Sequence, residues 1–282
     1  ITGHSVFQKN FNQDISYWNV SSVENMGYLF SGCKIFNQDI SYWDVSSVAY
    51  MGEMFIGCSA FNQDIKGWDV SLVTNMKYMF LDCTSFNQDL KGWNVSSVTD
   101  MNNMFNGCSS FNKDLSSWVV SSVTNMYRMF NNCTSFNQDL SSWVVSSVTD
   151  MYGMFNNCTS FNQDLSGWNV SSVTDMTSMF EGCTSFNGDI KDWDVSNVIH
   201  MNNMFKGCEN TTNIIKSFKS WISNGYITEI NQMKFFTEEE IYVHLGIIVD
   251  QKIICGNLNT KIDDLNTKIE ELKTKKKTEE CP

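Results

Sequence analysis

Cysteine recurs at a constant interval of 25 residues along most of this chain. The positions are Cys33, Cys58, Cys83, Cys108, Cys133, Cys158, Cys183 and Cys208. Nearly the same residues surround each cysteine, and the period does not slip between Phe11 and Cys208. A fixed period of this length is typical of repeat arrays, in which each unit buries its apolar side chains only against its neighbours. The repeat therefore constrains the architecture more strongly than any single motif does.

Each repeat carries two apolar patterns, which predict a strand and a short helix. In segment 15–20 the order apolar-x-x-apolar-x-apolar is the strand pattern of leucine-rich repeats, with Trp18 in a leucine position. Alternation along this strand places Trp18 inside and Asn19 outside. Segment 22–33 then shows apolar residues at helical spacing. The helix is predicted to end at Gly32, whose equivalents are only Gly, Asn or Asp, the residues that tolerate a left-handed backbone.

These patterns predict an α/β repeat solenoid. We expect a leucine-rich-repeat-like stack of eight 25-residue coils, with a parallel β-sheet on one face and short helices on the other, followed by an α-helical C-terminal segment with a short coiled coil. The predicted divisions are an N-terminal cap at 1–10, the solenoid at 11–209, a capping helix and connector at 210–236, and C-terminal helices at 237–282.

The C-terminal helices contain an apolar seam whose spacing alternates between four and three residues. Its members are Leu258, Ile262, Leu265, Ile269 and Leu272. This spacing is typical of a coiled coil, and the choice of Ile and Leu favours a parallel pair. In a parallel twin, however, Lys268 would face Lys273, which is repulsive. The seam is therefore predicted to pair with a second copy, with another protein or with helix 238–254, and a simple exposed helix is the alternative.

The charge of the chain restricts its partners. The net charge is −12, and the region before residue 210 holds 20 acidic against 9 basic side chains. Nucleic-acid binding requires concentrated Lys and Arg, so we expect no nucleic-acid partner. No run of about 20 apolar residues predicts a membrane span. The sequence contains no arrangement of residues typical of a catalytic site or a cofactor site, so neither is expected.

Two columns of repeated residues raise the question of metal or redox chemistry. The cysteines could form a metal or disulfide ladder, but no histidine column accompanies them and no pairs occur at ligand spacing. We predict that they are buried apolar thiols. The second column is a ladder of carboxylates that repel one another. Hydrogen bonds from turn N–H groups or a row of Ca²⁺ ions would relieve that repulsion. Its members are Asp14, Asp39, Asp64, Asp89, Asp114, Asp139, Asp164 and Asp189.

The outward positions of the predicted strand differ most between repeats, and such a surface of a repeat array commonly binds partners. We predict an interaction face there that is small, acidic and carries tyrosine at one end. Its members are Tyr17, Asn19, Tyr42, Asp44, Asp69, Asn94, Val119, Val144, Asn169 and Asp194. A polypeptide, or a glycan with hydrogen-bonding groups, fits this chemistry.

The repeat resembles a known family, and the resemblance is carried by a motif that the segment from Phe136 to Cys158 shows clearly. The motif is Phe-Asn-x-Asp-Leu/Ile-x-x-Trp-x-Val-Ser-x-Val-x-x-Met-x-x-Met-Phe-x-x-Cys. It is similar to the BspA-like surface-protein repeats, which are leucine-rich-repeat relatives of Mycoplasma and Listeria lipoproteins, protists, algae and large DNA viruses. The resemblance covers residues 11–209 of the 282.

The resemblance implies a non-enzymatic protein that is displayed on a cell surface or outside the cell. It would mediate protein–protein or adhesive contacts and be attached or assembled through its C-terminal helices. Two alternatives are an accessory protein on the surface of a virion and a Ca²⁺-binding solenoid that uses the aspartate ladder. The family pattern contributes no catalytic residue.

Overall fold

The computed structural model describes residues 7–210 and 212–227, together with the backbone of two short strands that follow them. The predicted N-terminal cap is thus described only from Phe7 onwards. The predicted coiled-coil seam at 258–272 lies outside the described residues. No helix in the described part of the chain is long and apolar enough to cross a lipid bilayer.

The regular elements of the described residues all follow the last repeat. Helix α1 spans Thr212–Ser223, and strands β1 (Glu229–Ile230) and β2 (Met233–Lys234) form an antiparallel pair. Within residues 7–210 there is no α-helix and no strand longer than an isolated bridge. The short helices and the continuous parallel sheet predicted for each repeat are therefore absent from this region, and tight turns take their place.

Successive turns explain why the sequence looked helical. The N–H of Cys33 donates to the carbonyl of Phe30 at 2.9 Å, and the N–H of Phe36 donates to the carbonyl of Cys33 at 3.0 Å. Such a bond joins residues three apart, so the first and last residues of consecutive turns both point inward. Their spacing of three matches that of a helical stripe, whereas a helix would bond residues four apart. The helix prediction was wrong because periodicity alone does not distinguish these two cases.

Most of the backbone hydrogen bonds that join one repeat to the next lie in the segment that was predicted to be helical. The N–H of Met26 donates to the carbonyl of Tyr50 at 3.0 Å, and the N–H of Phe30 donates to that of Met54 at 2.9 Å. One parallel bridge links each pair of repeats, from Asn25↔Tyr50 through to Asp175↔His200. In segment 15–20 and its equivalents, where the strand was predicted, no described backbone bond joins two repeats.

Side chains join the repeats where the backbone does not. The indole N–H of Trp118 donates to the carbonyl of Leu90 at 3.0 Å, and the backbone N–H of Asn137 donates to Oδ1 of Asn112 at 3.0 Å. Asn112 and Asn137 occupy the same position in successive repeats. Equivalent bonds join all eight asparagines at this position, from Asn12 to Asn187. Most of these donors and acceptors are thereby satisfied by the neighbouring repeat, whereas Trp43 Nε1 and Asn187 Oδ1 have no hydrogen-bond partner among the described residues.

The interior consists of columns of identical side chains. All eight cysteines at the repeat positions are buried free thiols, which confirms the prediction of apolar thiols. Cys133 Sγ lies 2.9 Å from the carbonyl of Phe105 in an earlier repeat. The rings of Phe130 and Phe155 stack with their centroids 5.7 Å apart. Because burial disfavours the thiolate, the pKa of the seven repeat cysteines from Cys58 to Cys208 is raised, to about 12 for Cys208.

Helix α1 covers the last repeat, as the sequence predicted for a capping helix. Phe218 of α1 packs edge-on against Phe205, with centroids 5.6 Å apart. Asn213 donates its side-chain N–H to the carbonyl of Asn187 at 2.9 Å. The helix is followed by Gly225, whose φ of 73° is left-handed, as expected of a helix C-terminus. At the opposite end of the array, Trp18 and its neighbours line an apolar cavity of about 360 Å³.

Candidate functional site

The aspartate column is held by hydrogen bonds within its own turns. In all eight repeats an aspartate Oδ1 accepts the N–H of the residue two positions on, at distances from 2.8 Å for Asp139 to 3.2 Å for Asp189. The N–H of Ser166 holds the pKa of Asp164 below its usual range. A side-chain hydrogen bond from Lys91 is the main reason why the pKa of Asp114 falls to about 2.

This arrangement is the hydrogen-bonded alternative of the two that the sequence left open. One oxygen of each carboxylate already has a donor, so the repulsion within the column is relieved by turn N–H groups. Among the residues that the structure describes, no group of three or more His, Cys, Asp or Glu side chains could hold a metal ion.

The predicted interaction face points outward. Nine of its ten members are exposed, and Asp194 is partly buried. Tyr17 and Val119 are the clearest cases, with 80% and 55% of their surface exposed. The Asn and Asp members, however, also close turns: Oδ1 of Asp44 accepts the N–H of Ser46 at 3.1 Å. Turn formation thus explains these polar members without a ligand, and the binding role of this face stays a prediction.

A different part of the repeat holds an unexpected feature, since two of its positions have a left-handed backbone. The first, the Gly32 column, was predicted. It comprises Gly32, Gly57, Asp82, Gly107, Asn132, Asn157, Gly182 and Gly207. The second, the Tyr28 column, was not predicted. It comprises Tyr28, Glu53, Tyr78, Asn103, Arg128, Gly153, Ser178 and Asn203, with φ between 51° for Arg128 and 63° for Glu53.

Five of the eight residues in the Tyr28 column are of types that disfavour its backbone conformation. A residue with a Cβ atom is destabilised in the left-handed region by roughly 1–2 kcal/mol, and only Gly, Asn and Asp enter it readily. The Gly32 column follows this rule, but Tyr, Glu, Arg and Ser in the Tyr28 column do not. Backbone strain of this kind concentrates at functional sites, so an observed outlier is a reason to look for a function.

The side chains of the Tyr28 column and of two neighbouring columns form a surface that we call the tyrosine face. Its members are Tyr28, Tyr50, Glu53, Lys77, Tyr78, Tyr127, Arg128 and Tyr152. Five of the nine tyrosines of the chain belong to it. Except for the buried Glu53, these side chains are partly buried, so they pack on one another while remaining accessible.

Glu53 is the centre of the first cluster in this face. It is a carboxylate with only 5% of its surface exposed. Tyr50 donates its hydroxyl to Oε2 of Glu53 at 2.9 Å, and Nζ of Lys77 lies 3.5 Å from Oε1. A hydrogen bond to Glu53 is the largest cause that raises the pKa of Tyr28, and burial raises the pKa of Tyr50. The buried charge is thus satisfied by several partners, as buried carboxylates require.

Tyr50 departs from the repeat, and two glycines accommodate it. Most other repeats have Asn or Asp at this position, where Oδ1 accepts the N–H of the residue two further on, as in Asn75. The ring of Tyr50 lies against the backbone of Gly27 and Gly52, where an added Cβ would come within 2.6 Å of its atoms. No other repeat has glycine at these equivalents. The three residues are therefore matched to one another.

Arg128 is the centre of the second cluster. Its guanidinium carbon lies 5.3 Å from the ring centroid of Tyr127 and 5.1 Å from that of Tyr152, and the two rings stack with centroids 4.9 Å apart. Nη2 lies 3.5 Å from the Tyr152 hydroxyl. A Cβ at Gly153 would lie 3.2 Å from Cγ of Arg128, so the single glycine of the Tyr28 column leaves room for this side chain.

One family model matches this chain in three overlapping windows, at residues 3–118, 53–166 and 106–221, and is described as Mycoplasma protein of unknown function, DUF285. Together the windows cover more than half of the 282 residues. The chain belongs to the DUF285 family. The windows begin about two repeats apart, because the repeats resemble one another closely enough for the same model to fit repeatedly. No curated protein and no solved structure matches the chain.

The DUF285 assignment identifies a repeat protein, and the kinship to BspA-like leucine-rich repeats stays a prediction. The tyrosine face of this DUF285 protein was not predicted, because Tyr, Glu and Arg do not by themselves indicate a left-handed backbone. A signal was present in the departures from the repeat. Tyr50 stands where most repeats have Asn or Asp, and Arg128 is the only arginine of the chain.

Proposed function

We propose that this chain is a non-enzymatic binding protein that is displayed at a cell surface and contacts a protein partner through the tyrosine face. In this proposal the repeats form a rigid solenoid, and residues beyond 236 attach or assemble it. The observation that carries the proposal is the placement of Tyr, Glu and Arg side chains at left-handed positions, where the backbone alone would favour glycine.

The composition of the tyrosine face supports a protein partner. Tyr and Arg are enriched among the residues that dominate binding energy at protein interfaces. A tyrosine offers a large contact area with few rotatable bonds, so little conformational entropy is lost on binding. Tyr127 and Tyr152 already stack on one another in the described structure, which reduces that loss further.

The core of the repeats supports a rigid display. The ring stacks between repeats involve residues that are almost fully buried in the middle of the array, and backbone hydrogen bonds join each repeat to the next. Surface side chains mounted on such a core have fixed relative positions, which favours complementary contacts with a partner. The virion alternative stays a prediction, since the matching family is described from Mycoplasma and no observation on this chain favours a virus particle.

Adhesion of beads coated with the full chain to cultured epithelial cells tests the proposal. One variant combines Tyr78→Ser, Tyr127→Ser and Tyr152→Ser in the tyrosine face. The matched control combines Tyr17→Ser, Tyr42→Ser and Val119→Ser in the face predicted from the sequence. Unfolding by denaturant verifies that both variants are folded.

We expect the tyrosine-face variant to lose most of the bead adhesion and the control to retain it. Loss in the control alone would transfer the binding role to the face predicted from the sequence. Wild-type beads that adhere no better than beads coated with serum albumin would contradict surface adhesion altogether.

A further inference from the structure

Arg128 is an unusual residue in this protein. It is the only arginine in a chain of net charge −12. Its φ of 51° is left-handed, and its Nε is buried without a hydrogen-bond partner among the described residues. An unsatisfied buried donor destabilises the fold, in addition to the backbone strain. The fold holds this side chain in place despite both costs.

The guanidinium is positioned for an anionic ligand. No carboxylate of the described residues lies within ion-pair distance of it, unlike Lys77 and Lys206, which pair with Glu53 and Glu181. Nη2 makes only the long contact of 3.5 Å with the Tyr152 hydroxyl, and Nη1 donates no hydrogen bond within the described part. The two Nη groups are thus the end of a fork that can donate to both oxygens of one carboxylate.

The surroundings select the kind of anion. Tyr127 and Tyr152 cover the guanidinium and reduce its contact with water, which strengthens its electrostatic interaction with a ligand. The column that joins the repeats through parallel bridges carries Asp100, Asp150 and Asp175, and the negative charge of Asp150 acts on the Tyr127 hydroxyl. These neighbouring negative charges repel a dianion such as phosphate more strongly than a monoanion.

We infer that Arg128, with Tyr127, Tyr152 and Gly153, forms a receptor for a single carboxylate, supplied by a glutamate or aspartate side chain of the partner protein. This inference rests on the proposed function, because it names the chemistry that the tyrosine face recognises. Gly153 is a positioning residue in this site, since a side chain there would press on Cγ of Arg128 and shift the arginine side chain.

The uniqueness of Arg128 provides a direct test. Full-length protein labelled with ¹⁵N-arginine gives one Nε–H signal in an NMR spectrum, and this signal is followed while N-acetyl-glutamate amide is added. The neutral probe N-acetyl-glutamine amide and inorganic phosphate are titrated in parallel. We expect the glutamate probe to shift the signal in a saturable way, with an affinity at least about tenfold higher than that of the glutamine probe.

Two variants identify the site as the cause. Gly153→Ser should weaken glutamate binding about tenfold or more, since it crowds Cγ of Arg128. Gly57→Ser places the same residue at another left-handed glycine in a distant repeat and should leave the titration unchanged. Equal responses to glutamate and glutamine, a stronger response to phosphate or an unaffected Gly153→Ser variant would each overturn the inference.

Bead adhesion of Arg128→Gln separates this inference from the proposed function. If adhesion depends on the tyrosines but not on Arg128, and the Nε signal does not shift when the glutamate probe is added, the carboxylate receptor alone is refuted. Absence of wild-type adhesion together with a glutamate-dependent Nε shift refutes surface adhesion and leaves the receptor standing.

Discussion

Two columns of the repeat adopt the same left-handed backbone but carry different residues. The Gly32 column contains five glycines, two asparagines and one aspartate, whereas the Tyr28 column contains one glycine among eight positions. Backbone preference explains the first column completely. It does not explain the Tyr, Glu and Arg residues of the second, which we attribute to the contacts that their side chains make. The residue types at a left-handed backbone position therefore distinguish a structural role from a functional one.

The largest expected effect concerns the buried core that supports both columns. The thiol pKa of the repeat cysteines is raised by burial, so the folded state keeps these thiols neutral while the unfolded state ionises near pH 8.5. Stability is therefore fully present below that pH and lost as the pH rises above it. At pH 10 the loss is about 2 kcal/mol per thiol.

Denaturant unfolding between pH 7 and pH 10.5 measures this loss. Replacing Cys133 and Cys158 with alanine removes two of the seven thiols whose pKa is raised, so we expect the slope of stability against pH to fall by about 30%. A wild-type free energy of unfolding that is constant up to pH 10 would show that the thiols are not buried as described.

The Gly32 column should be sensitive to small changes in its neighbours. At Gly107 an added Cβ would meet Oδ1 of Asp82 and lie 3.2 Å from its Cα, whereas at Gly57 the nearest atom is 3.8 Å away. Both glycines are left-handed. We expect Gly107→Ala to lower the free energy of unfolding by about 2–3 kcal/mol and Gly57→Ala by about 1–2 kcal/mol. Equal losses in chemical denaturation would show that the contact with Asp82 is unimportant.

The smallest expected effect concerns the aspartate column. Asp139→Asn keeps an oxygen that can accept the N–H of Ser141, so we expect stability to change by less than about 0.5 kcal/mol. Because these carboxylates are satisfied by their own turns, calorimetry with Ca²⁺ should detect no binding heat in either form. A binding heat in the wild type that disappears in Asp139→Asn would restore the cation ladder.

The sequence predicted the repeat period, the inward columns and the capping helix, because these depend on apolar periodicity and on Gly or Asn at helix ends. Cys133 and Phe218 are buried as expected. The sequence did not predict which segment forms the hydrogen bonds between repeats, because apolar residues three apart occur both in helices and in successive turns. The hydrogen bond from Met26 to Tyr50 joins two adjacent repeats, and no local sequence pattern indicates which residues of the two repeats will pair.

The candidate site was less predictable for the same reason. The outward position of Tyr17 follows from simple alternation, and the structure agrees. The cluster around Arg128 depends on three residues from two repeats, Tyr127, Tyr152 and Gly153, whose proximity appears only when the repeats are aligned in space. Interpreting each departure from the repeat as a possible contact would have identified it.

The functional role proposed for the tyrosine face requires that Tyr78 and Arg128, at left-handed positions of the Tyr28 column, are not there to stabilise the fold. The free energies of unfolding of Tyr78→Gly and Arg128→Gly test it most directly. Glycine relieves the left-handed strain but gains entropy in the unfolded chain, so we expect each value to stay within about 1 kcal/mol of the wild type. A loss of more than about 2 kcal/mol in both variants would show that these residues stabilise the fold, and would contradict the account.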